Sequence, residues 1–113
     1  MKKVVFLICL WILPALAQTV FIAGSEDVPL MDGLTVLPEM EMSFDAPEGR
    51  IVQSVAYSEA LLPDQVAAFY AETLPQMGWE QKGKEFLREK ETLSIESHRL
   101  KGKTTVRFEL KSN

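Results

Sequence analysis

Cysteine and histidine are almost absent from this chain. Among its 113 residues there is one cysteine, Cys9, and one histidine, His98. A metal cage built from cysteine and histidine needs several such ligands, and a cysteine–histidine nucleophile needs both residues at one site. Both are excluded if Cys9 leaves with the N-terminal segment described below. The remaining chain then has no disulfide, so packing alone must stabilise it.

The sequence also lacks an excess of positive charge. Lys and Arg total 12 against 16 Asp and Glu, which gives a net charge of −4. This balance argues against nucleic acid as a partner, because binding phosphate groups needs a surplus of Lys and Arg. The six glycines are scattered, with no cluster between a strand and a helix that could hold a phosphate.

The longest apolar run is too short to be read simply as a membrane span. It covers Val4–Leu13, after two lysines, and is followed by small residues at Ala15 and Ala17. Ten apolar residues do not cross the roughly 30 Å of hydrocarbon. The pattern predicts a secretory signal over 1–17, cleaved after its last alanine. An uncleaved anchor over 4–23 is the alternative, so we expect an exported protein, either periplasmic or tethered to the inner membrane.

The other polar residues show no catalytic arrangement. His98 stands beside Arg99 near a turn and is expected to be a solvated strand residue. Acidic pairs occur at 26–27, 39 and 41, and 45 and 48, without the spacing of a calcium loop. Solvated surface is the favoured interpretation of these acids, and weak cation binding is the alternative. The sequence predicts a protein that is not an enzyme and needs no cofactor or metal.

Residues 63–74 have the pattern of an amphipathic helix. Pro63 suits the first turn, and Asp64 places negative charge at the positive end of the helix dipole. The apolar stripe at helical spacing consists of Val66, Phe69, Tyr70, Thr73 and Leu74. Pro75 and Gly78 end the helix.

Extended runs with a two-residue period flank this helix. Runs 40–44 and 50–58 precede it and are predicted to form a hairpin. Four runs follow it, separated by turn residues: 79–81, 86–88, 92–97 and 104–110. The alternation predicts a sheet with one buried face and one face exposed to solvent.

The predicted fold class is therefore α+β. An antiparallel sheet, with elements in the order β-β-α-β-β-β-β, carries one helix packed across one face. We expect this single domain to cover 40–113. Residues 18–39 precede it as an extended lead-in segment, since Pro29 and Pro38 restrict their own backbone.

A sequence motif at the end of the helix is similar to one found in a known protein family. It consists of Phe69-Tyr70, Leu74-Pro75 and Gly78-Trp79, written FYxxxLPxxGW. The chain resembles a family of small exported proteins of the Gram-negative bacterial envelope that have no established activity. The likeness also takes in 28–34, 44–52, 86–89 and 106–108. It implies an envelope location and one small α+β domain, and it assigns no catalytic residue.

The stretch Val28–Leu37 holds six apolar residues, more than a solvated tail needs. It is expected either to dock on its own sheet as an edge or to pair with the edge strand of another protein. In the second case Met31, Leu34 and Leu37 would be the contacts with an envelope partner.

Positive charge is concentrated in the C-terminal part of the chain. Residues 81–113 hold nine bases and five acids, a net of +4, whereas 18–80 hold one base and eleven acids, a net of −10. Near predicted hairpin turns lie Lys82, Lys84, Lys101 and Lys103. They would suit an anionic envelope surface. The favoured alternative is charge balance between the two halves, with edge lysines that prevent aggregation.

The leading functional prediction is a non-enzymatic accessory or interaction module of the cell envelope. The alternative is a small periplasmic ligand-binding protein with a pocket between helix and sheet. The predicted inward side chains are bulky, which favours a filled core: Phe69, Tyr70, Phe86, Ile95 and Phe108.

Overall fold

The computed structural model describes residues 21–22, 28–47 and 49–112. The predicted signal segment 1–17 lies outside them. The strands are β1 (Thr35–Val36), β2 (Met42–Ala46), β3 (Gly49–Ser58), β4 (Glu80–Lys82), β5 (Glu85–Arg88), β6 (Glu91–Leu100) and β7 (Lys103–Ser112), and helix α1 (Pro63–Thr73) follows β3. All seven strands form one antiparallel sheet with α1 packed against it, so the predicted α+β class is confirmed.

Strand β3 has a different neighbour on each side. Strand β7 pairs along one side, from Arg50 opposite Ser112 to Ser58 opposite Thr104. On the other side β2 pairs with residues 49–53 and β1 with residues 56–57. Since β7 occupies one side of β3 throughout, β1 and β2 lie end to end along the other.

A 3₁₀ turn over Pro38–Met40 separates β1 from β2. The predicted hairpin before the helix is confirmed, but its first strand begins at Met42 rather than at residue 40. The reason is local, because Pro38 stands in the first turn of the 3₁₀ segment and Glu41 donates its N–H to the Pro38 carbonyl. Together β1 and β2 form one edge of the sheet, interrupted by the 3₁₀ turn.

Strands β4 to β7 form a meander of consecutive antiparallel hairpins, as the spacing of the turns predicts. Strands β6 and β7 are ten residues long, longer than the runs predicted at 92–97 and 104–110. Their connecting turn uses Lys101 and Gly102, both with positive φ.

Helix α1 matches the predicted helix and continues into a 3₁₀ turn over Leu74–Met77. Val66, Tyr70 and Leu74 are fully buried. Gly78 then adopts φ +97°, a left-handed conformation, which lets the Trp79 N–H return to the Leu74 carbonyl. Backbone conformation therefore explains the LPxxGW motif without a catalytic role.

The hydrophobic core lies between α1 and the inner face of the sheet. The strand residues buried there include Val52, Ala56, Leu93, Val106, Phe108 and Leu110. The Tyr70 ring meets Phe108 edge to face, with centroids 5.5 Å apart. Ile22, Val28 and Leu34 belong to the same core, so part of the lead-in segment packs with the sheet and helix.

Candidate functional site

Apolar side chains of β2 face away from the core. Met42 lies opposite Gln53, and Phe44 lies opposite Ile51, on the face of the sheet that α1 does not cover. Met42 is 50% exposed and Phe44 48% exposed. Met40, in the preceding 3₁₀ turn, is also 50% exposed. The predicted half-buried strand at 40–44 is therefore wrong in one respect, because its apolar side is the one left in solvent.

The outer edge of β2 is also available. Within the described ranges β2 pairs with β3 alone, so no other described strand satisfies the backbone N–H and C=O groups along its far side. We define the β2 edge surface as this edge with its flanking exposed residues: Glu39, Met40, Glu41, Met42, Phe44 and Asp45. Arg50, the base opposite Asp45, donates to the Ser43 hydroxyl at 3.3 Å. The surface thus combines apolar side chains with acids.

The lead-in residues predicted as partner contacts do not form one surface. Leu34 is buried in the protein's own core. Met31 is half-buried and donates its N–H to the Tyr70 hydroxyl at 3.1 Å. Leu37, also half-buried, donates its N–H to the Val55 carbonyl at 2.8 Å, which continues the pairing of β1 with β3. The segment lies on its own sheet.

Tyr70 fastens this segment to the helix. Its hydroxyl donates to the Pro29 carbonyl at 2.7 Å and accepts the Met31 N–H at 3.1 Å. Burial raises the pKa of the Tyr70 phenol well above its ordinary value, and the hydrogen bond from Met31 opposes this only in part. The hydroxyl therefore stays protonated and keeps donating. Helical periodicity identified Tyr70 as a core residue but contained no signal for this contact.

Arg99 joins two distant turns and was also missed by the sequence analysis. Its Nη1 donates to the Leu61 carbonyl at 2.9 Å and to the Thr104 hydroxyl at 2.8 Å. Its Nη2 donates to the carbonyls of Glu59 and Gly102. The Thr104 hydroxyl, fully buried, in turn donates to the Leu61 carbonyl at 2.7 Å. The role of this cluster is to hold the β3–α1 connection against the β6–β7 turn.

The four predicted surface lysines fall into two separate pairs. Lys82 and Lys84 belong to the β4–β5 hairpin, and Lys101 and Lys103 to the β6–β7 hairpin. Both hairpins turn at the same end of the sheet. Glu85 pairs with Ser94 whereas Lys103 pairs with Leu100, so the tips are offset by six residues of β6, about 20 Å. They do not make one continuous basic patch.

Charge balance between the two halves finds no support in the ion pairs of the described residues. These join Arg88 to Glu91 at 3.0 Å and Arg107 to Glu96 at 2.7 Å. Both pairs lie inside the C-terminal half. The acids of the β2 edge surface are therefore left facing solvent.

A cleft opens between α1 and the β4–β6 part of the sheet. Its volume is about 260 Å³, and its floor is made by Val66, Tyr70, Phe86 and Ile95. Exposed Lys84 and Gln81 stand at its rim with half-buried Ser97. Tyr70, Phe86 and Phe108 are buried in the core, and the cleft opens beside them with Tyr70, Phe86 and Ile95 along its walls.

A second cleft, of about 280 Å³, lies on the outer face of the sheet. Met40 and Val55 contribute its apolar part, and His98 lies beside Thr105 on the strands. Glu96, on the same face, is held by Arg107. Across the described ranges no group of three or more His, Cys, Asp and Glu side chains is placed to hold a metal ion. His98 is exposed, as predicted.

Comparisons with known proteins return no relative. No protein-family model, curated protein or solved structure matches the chain. In the part of the chain that the structure describes, no helix is long and apolar enough to span a membrane.

Proposed function

We propose that this protein is a non-enzymatic, exported interaction module whose β2 edge surface docks an extended segment of another envelope protein. The observation that carries the proposal is the outer edge of β2, which pairs with no other described strand, with Met42 and Phe44 half exposed beside it. An added strand would satisfy the backbone groups of this edge and cover both apolar side chains.

The two edges of the sheet differ in a way that supports this choice. Strand β4 forms the opposite edge, has three residues, and exposes only Glu80, Gln81 and Lys82. Short length and charged side chains are the usual protection of an edge against unwanted pairing. Strand β2 has five residues and carries exposed apolar side chains. An unprotected edge in a sheet whose other edge is protected favours a binding role.

The charge of the surface defines the chemistry of the partner. Glu39, Glu41 and Asp45 are exposed around the edge against one base, Arg50 opposite Asp45, so the described residues of this surface carry a net negative charge. A docking strand with Lys or Arg next to its apolar residues would meet complementary charge, which favours fast and specific association. We therefore infer a basic, extended segment as the occupant. An anionic membrane surface would be repelled here.

Export is part of the same proposal and is supported by the signal pattern over 1–17. Ile22 is buried in the core, where its N–H bonds to the Val28 carbonyl at 3.0 Å. Cleavage after Ala17 would leave this packing intact. A membrane anchor over 4–23 would instead include a residue that the core buries, so the periplasmic form is favoured. The likeness to small envelope proteins points to the same compartment.

Site-specific photocrosslinking in cells tests the docking surface. A photoreactive amino acid replaces Met42 in one strain and Ala68, an exposed residue of α1, in the matched control. We expect a discrete adduct from position 42 only, lost in Phe44→Asp. Mass spectrometry should place the crosslink in a segment of the partner rich in Lys or Arg.

Three results would contradict the proposal. The same adduct could form from position 68, or Phe44→Asp could leave the adduct from position 42 unchanged. An adduct of twice the protein's own mass would identify a second copy as the occupant. Because Phe44 is half exposed, Phe44→Asp should keep the fold, which circular dichroism checks.

A further inference from the structure

We infer that the cleft between α1 and the β4–β6 strands is a binding site for a small amphipathic anion with a single apolar chain. It lies on the opposite face of the sheet from Met42 and Phe44 and is independent of the docking function proposed above. The inference is based on a buried apolar floor that lies beneath a rim with a positively charged side chain.

The floor provides the surface for an apolar chain. Val66, Tyr70 and Phe86 are buried, and Ile95 is half-buried beside them. The Tyr70 hydroxyl is already engaged with Pro29 and Met31, so it presents its ring rather than a polar group to the cleft. Apolar walls with a few polar groups at the mouth are typical of small-molecule sites.

Small residues keep the cleft open. Ala67 on the helix, Gly83 in the β4–β5 turn and Ser97 on β6 all line it. An added side-chain carbon at Gly83 would meet no atom within 4 Å. The volume of about 260 Å³ lies just below the roughly 300–1,000 Å³ of sites for drug-sized ligands. A compact ligand with one short chain therefore suits it.

The rim determines the charge of the ligand. Among the described residues that line the cleft, Lys84 is the one charged side chain at the rim, and none is an acid. Gln81 braces the turn that carries Lys84, since its Nε2 donates to the Gly83 carbonyl at 3.2 Å. A carboxylate at the mouth would meet the Lys84 ammonium while its chain lay on the floor. A cationic head group would meet the same ammonium and be repelled.

Titration with three eight-carbon ligands tests the inference. Octanoate, octanol and octylammonium are added to the purified protein made from the full chain, and amide shifts are followed by nuclear magnetic resonance. We expect octanoate to bind about fivefold more tightly than octanol, equivalent to ~1 kcal/mol, the upper end for an exposed ion pair. Octylammonium should bind most weakly. The shifts should centre on Val66, Ala67 and Phe86.

Two pairs of variants separate the cleft from its surroundings. Lys84→Met should lower octanoate affinity to that of octanol, whereas Lys82→Met, two residues earlier at the end of β4 and outside the lining, should leave it unchanged. Ala67→Phe should fill the cleft and abolish binding of all three ligands. Ala68→Phe, on the neighbouring exposed position, should not.

Several outcomes would overturn the inference. They are equal binding of octanoate and octanol, equal effects of the two lysine variants, shifts centred outside the cleft, and no saturable binding. Because Ala67 is exposed, Ala67→Phe is expected to fold. If circular dichroism shows otherwise, the lysine pair decides the question alone.

Discussion

The Tyr70 hydroxyl connects the helix to a segment about forty residues earlier in the chain, and its hydrogen bond to the Pro29 carbonyl requires the phenol proton. In an unfolded chain a tyrosine has a pKa of about 10. Burial raises the folded-state pKa of Tyr70 above that value. The folded state therefore binds the proton more tightly, so its stability is complete below about pH 10 and is lost as pH rises toward the folded pKa.

Tyr70→Phe tests this residue. The change removes the partner of the Pro29 carbonyl and of the Met31 N–H, so the free energy of unfolding at pH 7 should fall by about 1–3 kcal/mol. The loss of stability between pH 9 and pH 11 should also become smaller, because only wild type has this buried phenol. Urea unfolding at the three pH values measures both effects. An alkaline slope as steep as that of wild type would show that Tyr70 is not the titrating group.

At the scale of elements, the connection between β3 and α1 depends on side chains outside it. Within the connection, the Ser58 hydroxyl accepts the N–H groups of Ala60 and Leu61. Arg99 then binds the Glu59 and Leu61 carbonyls from β6. The start of α1 is thereby fixed to the β6–β7 hairpin, next to the cleft between α1 and the sheet.

Arg99→Ala should lower the free energy of unfolding by about 1–3 kcal/mol, since carbonyls that accept from a charged donor lose it. Arg99→Lys should recover only a small part, because an ammonium cannot reach four acceptors as the guanidinium fork does. Arg107→Ala is the control, and loss of its exposed ion pair with Glu96 should cost less than ~1 kcal/mol. Full recovery by lysine would mean that charge alone matters. Thermal and urea unfolding of the purified variants measure these differences.

For the whole molecule, the lead-in segment and the sheet share one core. Val28 is fully buried, Leu34 is nearly so, and both pack with the helix residues. A segment that contributes buried residues to a shared core unfolds together with it. Deleting Val28–Leu37 should therefore lower the free energy of unfolding, whether or not the deletion also affects binding to a partner.

Leu34→Ala tests this sharing with a smaller change. Truncating a buried leucine should lower the free energy of unfolding by about 2–4 kcal/mol. Leu100→Ala, at a leucine exposed on the β6–β7 hairpin, should lower it by less than ~1 kcal/mol. Circular dichroism and tryptophan fluorescence should report one coincident transition in each variant. A separate early transition in Leu34→Ala would show that the lead-in segment folds independently.

Much of the fold was predictable because it follows from local patterns. The helix was predicted from Pro63, its apolar stripe and Gly78, and the hairpins from alternation and turn residues. The C-terminal end of β6 beyond residue 97 was not, since His98 and Arg99 are polar on both faces. These residues are extended because β7 pairs with them through Leu100. Pairing with β7 makes these residues extended, although their own sequence pattern does not predict a strand.

The candidate surfaces were less predictable. Alternation in 40–44 indicated one apolar side but not which side the helix would cover. A pocket between helix and sheet was the less favoured alternative, because the bulk of the inward side chains was taken as filling the core. Walls of the same bulk can border a cleft when Ala67 and Gly83 stand between them.

By itself, the sequence determined the α+β class, the place of the helix and the acidic and basic halves, since each depends on neighbours within a few positions along the chain. Only the tertiary structure decided that β1 and β2 share one edge of β3, that Met42 and Phe44 face solvent, and that Arg99 binds the carbonyls of a loop about forty residues away. Those features depend on which distant segments pair and which face is covered, and no local pattern encodes either choice.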